Sequence, residues 1–232
     1  MNKIMIKDIL ETGSVNQTYC VSGWVRNKRG SKNVCFIMLN DGSCFKDLQI
    51  ILEINSVLEN TLKQINTGAS VSVLGKLVSS EGKGQNIELI AENINLIGEA
   101  DPETYPIQPK RHSLDFLRQN AHLRFRTKTF SSVFRIRHGL SFAIHKFFNE
   151  KNFYYINTPI ITSADAEGAG EMFKVTSFDL DKVPLNQDGT INYKQDFFSE
   201  SANLTVSGQL EAELAALGLS KVYTFGPTFR AE

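Results

Sequence analysis

Cysteine is scarce in this sequence: Cys20, Cys35 and Cys44 are the only three in 232 residues. An odd count without metal-type spacing excludes a disulfide framework and a zinc ribbon. All three fall in strand-like runs, so we expect buried free thiols in a reducing compartment. Long apolar runs are missing too, which leaves no segment able to cross a bilayer as a helix. The opening "MNKIMIKDILETG" has none of the architecture of a signal peptide. Together these absences predict a cytoplasmic protein with no membrane partner. No Ser-His-Asp or Cys-His arrangement stands out. Net charge is also absent, at 25 basic against 25 acidic residues.

That neutrality hides an uneven distribution. Residues 1–98 are nearly balanced, and residues 99–109 add only acids. Residues 110–146 hold nine basic side chains against one acid, Asp115, and the remainder is acidic. A basic central segment suits a polyanionic partner. A solvated helix face would look the same.

With 41% hydrophobic residues the chain can bury a core. Tyr19 to Arg26, Val34 to Leu39, Leu48 to Leu52, Ala69 to Val78 and Asn86 to Ile97 read as five short strands, the last two joined by "SSEGKGQ". Ile54 to Ile65 carries Ile54, Val57, Leu58, Leu62 and Ile65 at helical spacing. Residues 1–98 are thus all-β with one helix between the third and fourth strands. This is the pattern of an OB-fold barrel, which binds single-stranded nucleic acid on one face. An aromatic such as Phe36 could stack on a base there, and an amide such as Gln49 could read a base edge. A core ring and a solvent-facing strand residue are the plain alternatives.

Residues 99–112 contain three of the six prolines and no apolar period, marking a stiff linker. Residues 113–126 and then Thr127 to Glu150 read as helix, with Val133, Ile136, Leu140, Ala143, Ile144 and Phe147 on one stripe. The run "FYYINTPIIT" is extended, and Pro159 inside it points to an edge or an interface. "SADAEGAGEMF" is a Gly-rich loop with two glutamates. Residues 179–199 read as an insertion or surface loop without assigned function.

The stretch from Asn203 to Glu232 organises the rest. Leu204 to Val206 reads as a buried strand. Ser207 could cap the next helix, which carries Leu210, Leu214 and Leu217, and Gly218 is placed to end it. Lys221 to Phe225 reads as a second strand, leading through Gly226-Pro227 into "FRAE". Polar residues crowd the ends of these elements, where open sites are built.

"FRAE" resembles motif 2 of the class II aminoacyl-tRNA synthetases, and "VSGQL" resembles the amino-acid pocket of the asparaginyl-tRNA synthetases. With "EGAGEMF" and "GWVRNKR" upstream, the resemblance spans nearly the whole chain. It implies an anticodon-binding OB barrel over 1–98, a hinge over 99–112, and the first part of an α+β catalytic domain, an antiparallel sheet with helices, over 113–232. Motif 1, about 133–162, would place Pro159 at a homodimer interface, and motif 2 would begin at 221. By the same resemblance Phe36 stacks on an anticodon base, Gln49 bonds the central uridine, and Arg26 lies in the basic position nearby. Glu167 would bind the substrate ammonium, on a loop whose glycines let it close. Ser207, Gln209 and Glu213 would line the asparagine pocket. Arg230 and Glu232 would be the catalytic, ATP-binding pair. Ala166 is a mild departure from the threonine common in the family.

The implied activity is asparagine–tRNA ligase: ATP activates L-asparagine as an adenylate, and the acyl group passes to tRNA(Asn). In the family, aspartyl enzymes carry a lysine where this chain has Ala212, and "SPQ" where it has "SGQ". Glu213 matches the acid that accepts from the asparagine amide, and it would repel a second carboxylate. Nothing in the chain resembles motif 3, so the resemblance implies an N-terminal portion that would not be active alone. The Mg2+ ligands would lie beyond Glu232. A truncated, non-catalytic RNA-binding remnant and an aspartyl-type enzyme stay open as alternatives.

Overall fold

The computed structural model describes residues 4–31, 33–54, 58–82, 84–165 and 172–231. The chain divides into two compact units, Met1–Arg137 and His138–Glu232.

In the first unit five strands close a barrel in the order β1-β2-β3-β5-β4. They are β1 (Thr18–Gly30), β2 (Val34–Asn40), β3 (Leu48–Glu53), β4 (Ser70–Ser79) and β5 (Ile87–Gly98). β3 and β5 pair in parallel, and the other ladders are antiparallel. Alternation drives the closure. In β2, Cys35, Ile37 and Leu39 point inward while Val34, Phe36 and Met38 point outward. Val21, Ile37, Leu48, Ile50, Val73, Leu77 and Leu89 are fully buried, and a closed barrel leaves no long ladder edge unpaired. Cys35 is a buried free thiol, while Cys20 and Cys44 are free and half-buried.

Two helices serve this core, not one. α1 (Ile6–Thr12) adds Ile6 and Ile9, both fully buried. Its open N–H groups are satisfied from the β2–β3 loop: Ile6 donates to Asp41 Oδ2 at 2.9 Å and Lys7 to Ser43 Oγ at 3.0 Å. Burial opposes the charge on Asp41, yet the Ser43 and Ile6 donors hold its carboxyl below the ordinary range. α2 (Leu58–Gln64) brings Leu62 into the core, followed by Ile65. The expected start of this helix at Ile54 is not met; Ile54 is non-helical and donates to Asn33 O at 2.8 Å.

The helix expected over 113–126 is broken. α3 (Leu114–Gln119) is capped by Ser113, whose Oγ accepts from Phe116 N, and it stops at Asn120. A single 3-10 turn, Arg124–Arg126, leads into α4 (Lys128–Glu150).

In the second unit β7 (Ile161–Thr162), β9 (Ala202–Leu204) and β8 (Lys174–Val175) form an antiparallel sheet. β6 (Tyr154–Ile156) pairs with β10 (Val222–Thr224) in parallel. His145 of α4 meets this pair through a 2.7 Å hydrogen bond between Nδ1 and Tyr223 Oη, and Phe148 stacks on the Tyr223 ring at 4.4 Å. Pro159 is exposed in the link between β6 and β7. β9 lies two residues earlier than expected; Thr205 has left the ladder and donates to Ile160 O. α5 (Gln209–Leu219) does not end at Gly218 but is capped at Ser220, which has a positive φ of 70°. Over 179–199 the surface loop holds a 3-10 turn, Tyr193–Gln195, and one isolated bridge between Leu185 and Ile191.

The buried anchor of that loop is Asp196. Its carboxylate accepts from Ser177 Oγ and Thr176 Oγ1, both at 2.6 Å, and from the N–H groups of Ser177 and Phe197. These donors hold the Asp196 carboxyl far below the usual carboxylate range.

Candidate functional site

In the second unit the polar residues singled out in the sequence converge where β9 runs into α5. Phe229 N–H donates to Thr205 O at 2.9 Å, which lays Phe229 beside the strand's continuation. Thr205 Oγ1 donates to Ser207 O at 2.6 Å and turns the chain. Ser207 Oγ then accepts from Gln209 N at 3.1 Å, although the helix cap itself is Gly208, one residue later than expected. Gly208 is needed for close approach: a Cβ there would lie 2.5 Å from Thr158 Oγ1. On the first turn of α5 the Gln209 carboxamide donates from Nε2 to Glu213 Oε1 at 2.9 Å. Arg230 is exposed and follows directly on Phe229. The structure therefore brings Ser207, Gln209 and Glu213 together and sets Arg230 on the segment bonded beside them. Glu167 and Glu232 lie outside the described residues.

This arrangement is acceptor-rich and open. A carboxylate that receives a carboxamide N–H can receive the same group from a ligand. The helix N-terminus beside it favours anions.

In the first unit the outward face of the barrel gathers a second set. Phe36, half-buried on β2, is the ladder partner of Arg29, whose guanidinium sits 5.6 Å from the ring centroid. Arg29 Nη2 also lies 3.5 Å from Gln49 Oε1. The other end of the Gln49 amide donates to Glu88 Oε1 at 2.9 Å, and Gln49 is only 6% exposed.

Arg26 is not part of this group. The β1–β2 register shifts between Val25 and Asn27, so Arg26 is the extra residue of a bulge. Its guanidinium donates to Asn40 Oδ1 at 3.3 Å, with Asp47 close enough to act on its charge. Burial lowers the Arg26 pKa and raises that of Asp47, each only partly offset by the other's charge. Arg26 and Asp47 line an open cleft of about 1200 Å³ with Tyr105, Lys110 and Arg126. The cation that meets Phe36 and Gln49 is Arg29, which sequence reasoning missed. Counting cross-strand partners from Phe36 would have found it, had the bulge been visible.

Most of the basic run 110–137 is engaged inside the first unit. Arg118 pairs with Asp115 at 2.8 Å. Arg126 lies 4.6 Å over the Trp24 ring, and Lys128 lies over Phe45. Arg135 donates to Gly42 O at 2.6 Å.

Residues 113–232 match the family described as tRNA synthetases class II (D, K and N), and residues 19–97 match the OB-fold nucleic acid binding domain. An asparagine–tRNA ligase of Cytophaga hutchinsonii is 54% identical over 234 residues, covering all of this chain and 50% of the relative. One from a Nostoc species is 55% identical over 230 residues, covering 98% of this chain and 49% of the relative. The chain thus spans about half the length of the curated relatives it matches. Among solved structures, an asparaginyl-tRNA synthetase from Pyrococcus horikoshii complexed with asparaginyl-adenylate superimposes with a TM-score of 0.79 at 22% identity, covering all of this chain and 49% of that one. An aspartyl tRNA synthetase from Entamoeba histolytica also aligns over the whole chain and 46% of its own, with a TM-score of 0.67 at 17% identity. The fold is therefore common to both, and the choice of amino acid must be argued from side chains.

Proposed function

Because this chain belongs to the class II tRNA synthetases (D, K and N), we propose that it supplies the anticodon-binding barrel and part of the amino-acid and ATP pocket of an asparagine–tRNA ligase. The functional division is 1–98 for the anticodon, 99–112 as hinge and 113–232 for catalysis. The substrates are L-asparagine, ATP and tRNA(Asn). The relatives' common activity supports this reading.

The observation that carries it is the Gln209–Glu213 hydrogen bond beside Ala212. Glu213 already accepts from a carboxamide, the group that separates asparagine from aspartate. Ala212 leaves no cation there to neutralise an aspartate side chain, so a second carboxylate would be repelled. The asparagine carboxylate then attacks the α-phosphorus of ATP. Pyrophosphate leaves, and a ribose hydroxyl of the tRNA later takes the acyl group and releases AMP. Arg230 holds the α-phosphate, because its planar fork matches phosphate oxygens. Glu232 acts on the ATP side, Ser207 and Gln209 line the pocket, and Glu167 takes the substrate ammonium. In the barrel Phe36 stacks on a base while Gln49 and Arg29 read its edge. Mg2+ would arrive with ATP; among the described residues no group of three His, Cys, Asp or Glu is placed to hold a metal ion. Pro159 and α4 would lie at a homodimer interface, in the cytoplasm.

Asparagine-dependent ATP–pyrophosphate exchange tests this, assayed on the chain and on a polypeptide of the relatives' length carrying these residues. In the longer form Arg230→Ala should lower exchange by roughly 10²–10³-fold. Glu213→Gln should narrow the preference for asparagine over aspartate by about tenfold or more. Full exchange with Arg230→Ala would remove Arg230 from the site, and strong aspartate use by the unaltered protein would sink the asparagine assignment.

A further inference from the structure

His145 is half-buried on α4 among three rings, with centroids 5.1 Å away at Tyr155, 5.8 Å at Tyr223 and 5.0 Å at Phe225. The three rings share one face of the β6–β10 pair: Tyr155 and Tyr223 are register partners, and Phe225 follows Tyr223 by two residues. His145 and Phe148 lie one turn apart on one side of α4, and both engage Tyr223. His145 does so through Nδ1 and the hydroxyl at 2.7 Å, and Phe148 by stacking with the ring planes 12° apart. An apolar side chain at 145 could fill the space among these rings. Only a polar atom there can fix where the Tyr223 hydroxyl points. A tyrosine hydroxyl donates or accepts, so it pairs with Nδ1 in either tautomer.

The β10 ladder ends at Thr224, and Arg230 follows six residues later. Just past the ladder, Phe225 O accepts from Tyr155 Oη at 3.0 Å. Further on, Phe229 N–H donates to Thr205 O at 2.9 Å. The approach to Arg230 is thus aligned at its near end by the ring cluster and at its far end by a backbone bond.

We propose that His145 is a positioning residue. Through Tyr223 it sets the line on which the chain leaves β10, and so where Arg230 presents its guanidinium. It touches no substrate. This inference rests on the reading of Arg230 as the arginine of the α-phosphate, and it adds that the placement is fixed from α4. A shift of about 1 Å in such a group can cost roughly 10²-fold in rate.

The test is a double-mutant cycle in asparagine-dependent ATP–pyrophosphate exchange, run on the polypeptide of the relatives' length. Tyr223→Phe should lower exchange by about tenfold or more when Arg230 is intact, and by less than about twofold in Arg230→Ala. Equal falls in both backgrounds would mark a merely structural role and overturn the proposal. His145→Gln should fall as Tyr223→Phe does. Asparagine can place an amide atom where Nδ1 stood, and glutamine reaches one bond further, so His145→Asn should recover most of the loss. Equal losses in the two variants would point to ring packing alone and count against it. On the 232-residue chain itself, Tyr223→Phe should speed hydrogen exchange of the Phe229 amide by about tenfold and leave the Ser177 amide unchanged. If Tyr223→Phe fails to fold, the two His145 variants are read at the same amides. Unchanged Phe229 protection, with Arg230→Ala still defective, sinks the His145 inference alone. Full exchange in Arg230→Ala removes the reading beneath it, and this inference falls with it.

Discussion

In the first unit the apolar side chains of five strands and two helices end in a shared interior, and many are fully buried. In the second unit Ala202 and Val206 are the only buried apolar residues among those described. α4 and α5 have no buried residue at all, and Leu214 and Leu217 are 72% and 88% exposed. The two units are held by different kinds of contact. The barrel is held by burial. The second unit is held by hydrogen bonds and aromatic contacts: Asp196 under its loop, the Thr205 turn, and the ring cluster around His145 and Tyr223. A binding face for a flexible polymer needs a platform that is stable by itself. A pocket assembled from strand ends and a helix terminus can remain open on one side.

The strongest way to break that contrast is to hollow the barrel. Ile37→Ala should cost about 2–5 kcal/mol, the usual range for an aliphatic residue cut to alanine in a full core. Trp24 is the only tryptophan and belongs to the barrel unit, so its fluorescence during urea unfolding reports that unit alone. A loss under about 1 kcal/mol would mean that the barrel does not depend on its core as described.

A smaller effect should follow from Asp196→Asn. Its folded-state pKa is depressed, so its contribution is present above the unfolded value of about 3.9 and is lost as pH falls below that. The unaltered chain should thus lose protection of the Ser177 and Phe197 amides against hydrogen exchange on acidification below about pH 4, with the barrel still folded. Asp196→Asn should show weaker protection already at neutral pH and little further change with acid. Equal protection in both at neutral pH would exclude Asp196 as the anchor.

The smallest effect sharpens the contrast from the other side. Leu217→Gln, on the exposed face of α5, should change stability within about 0.5 kcal/mol and raise solubility. A large destabilisation would show that this face is covered in solution.

The five strands were legible because alternation over Val34 to Leu39 or Leu48 to Leu52 leaves few other structures open. α1 was not legible. It is short, with two buried residues, and its caps, Asp41 and Ser43, lie far along the chain. At the candidate sites the residues close in sequence do meet: Ser207, Gln209 and Glu213 are linked by hydrogen bonds at the start of α5. The resemblance pointed to Arg26, but a bulge shifts the register by one residue, changes which side chains share a face, and sets Arg29 beside Phe36 and Gln49. Glu88 could not be found at all from spacing, since its relation to Gln49 is made by the barrel's closure across β3 and β5.

The contacts of Arg126 with Trp24, Lys128 with Phe45 and Arg135 with the Gly42 carbonyl bear on how such a barrel could be exchanged. They bring the first turns of α4 into the barrel's own unit, which continues past the proline-rich stretch to Arg137. A chimera cut at residue 98 would separate Trp24 and the Gly42 carbonyl from the arginines that meet them. A chimera cut inside α4, or one whose donor barrel keeps an aromatic at 24 and a like loop over 41–45, would carry its own fastening with it.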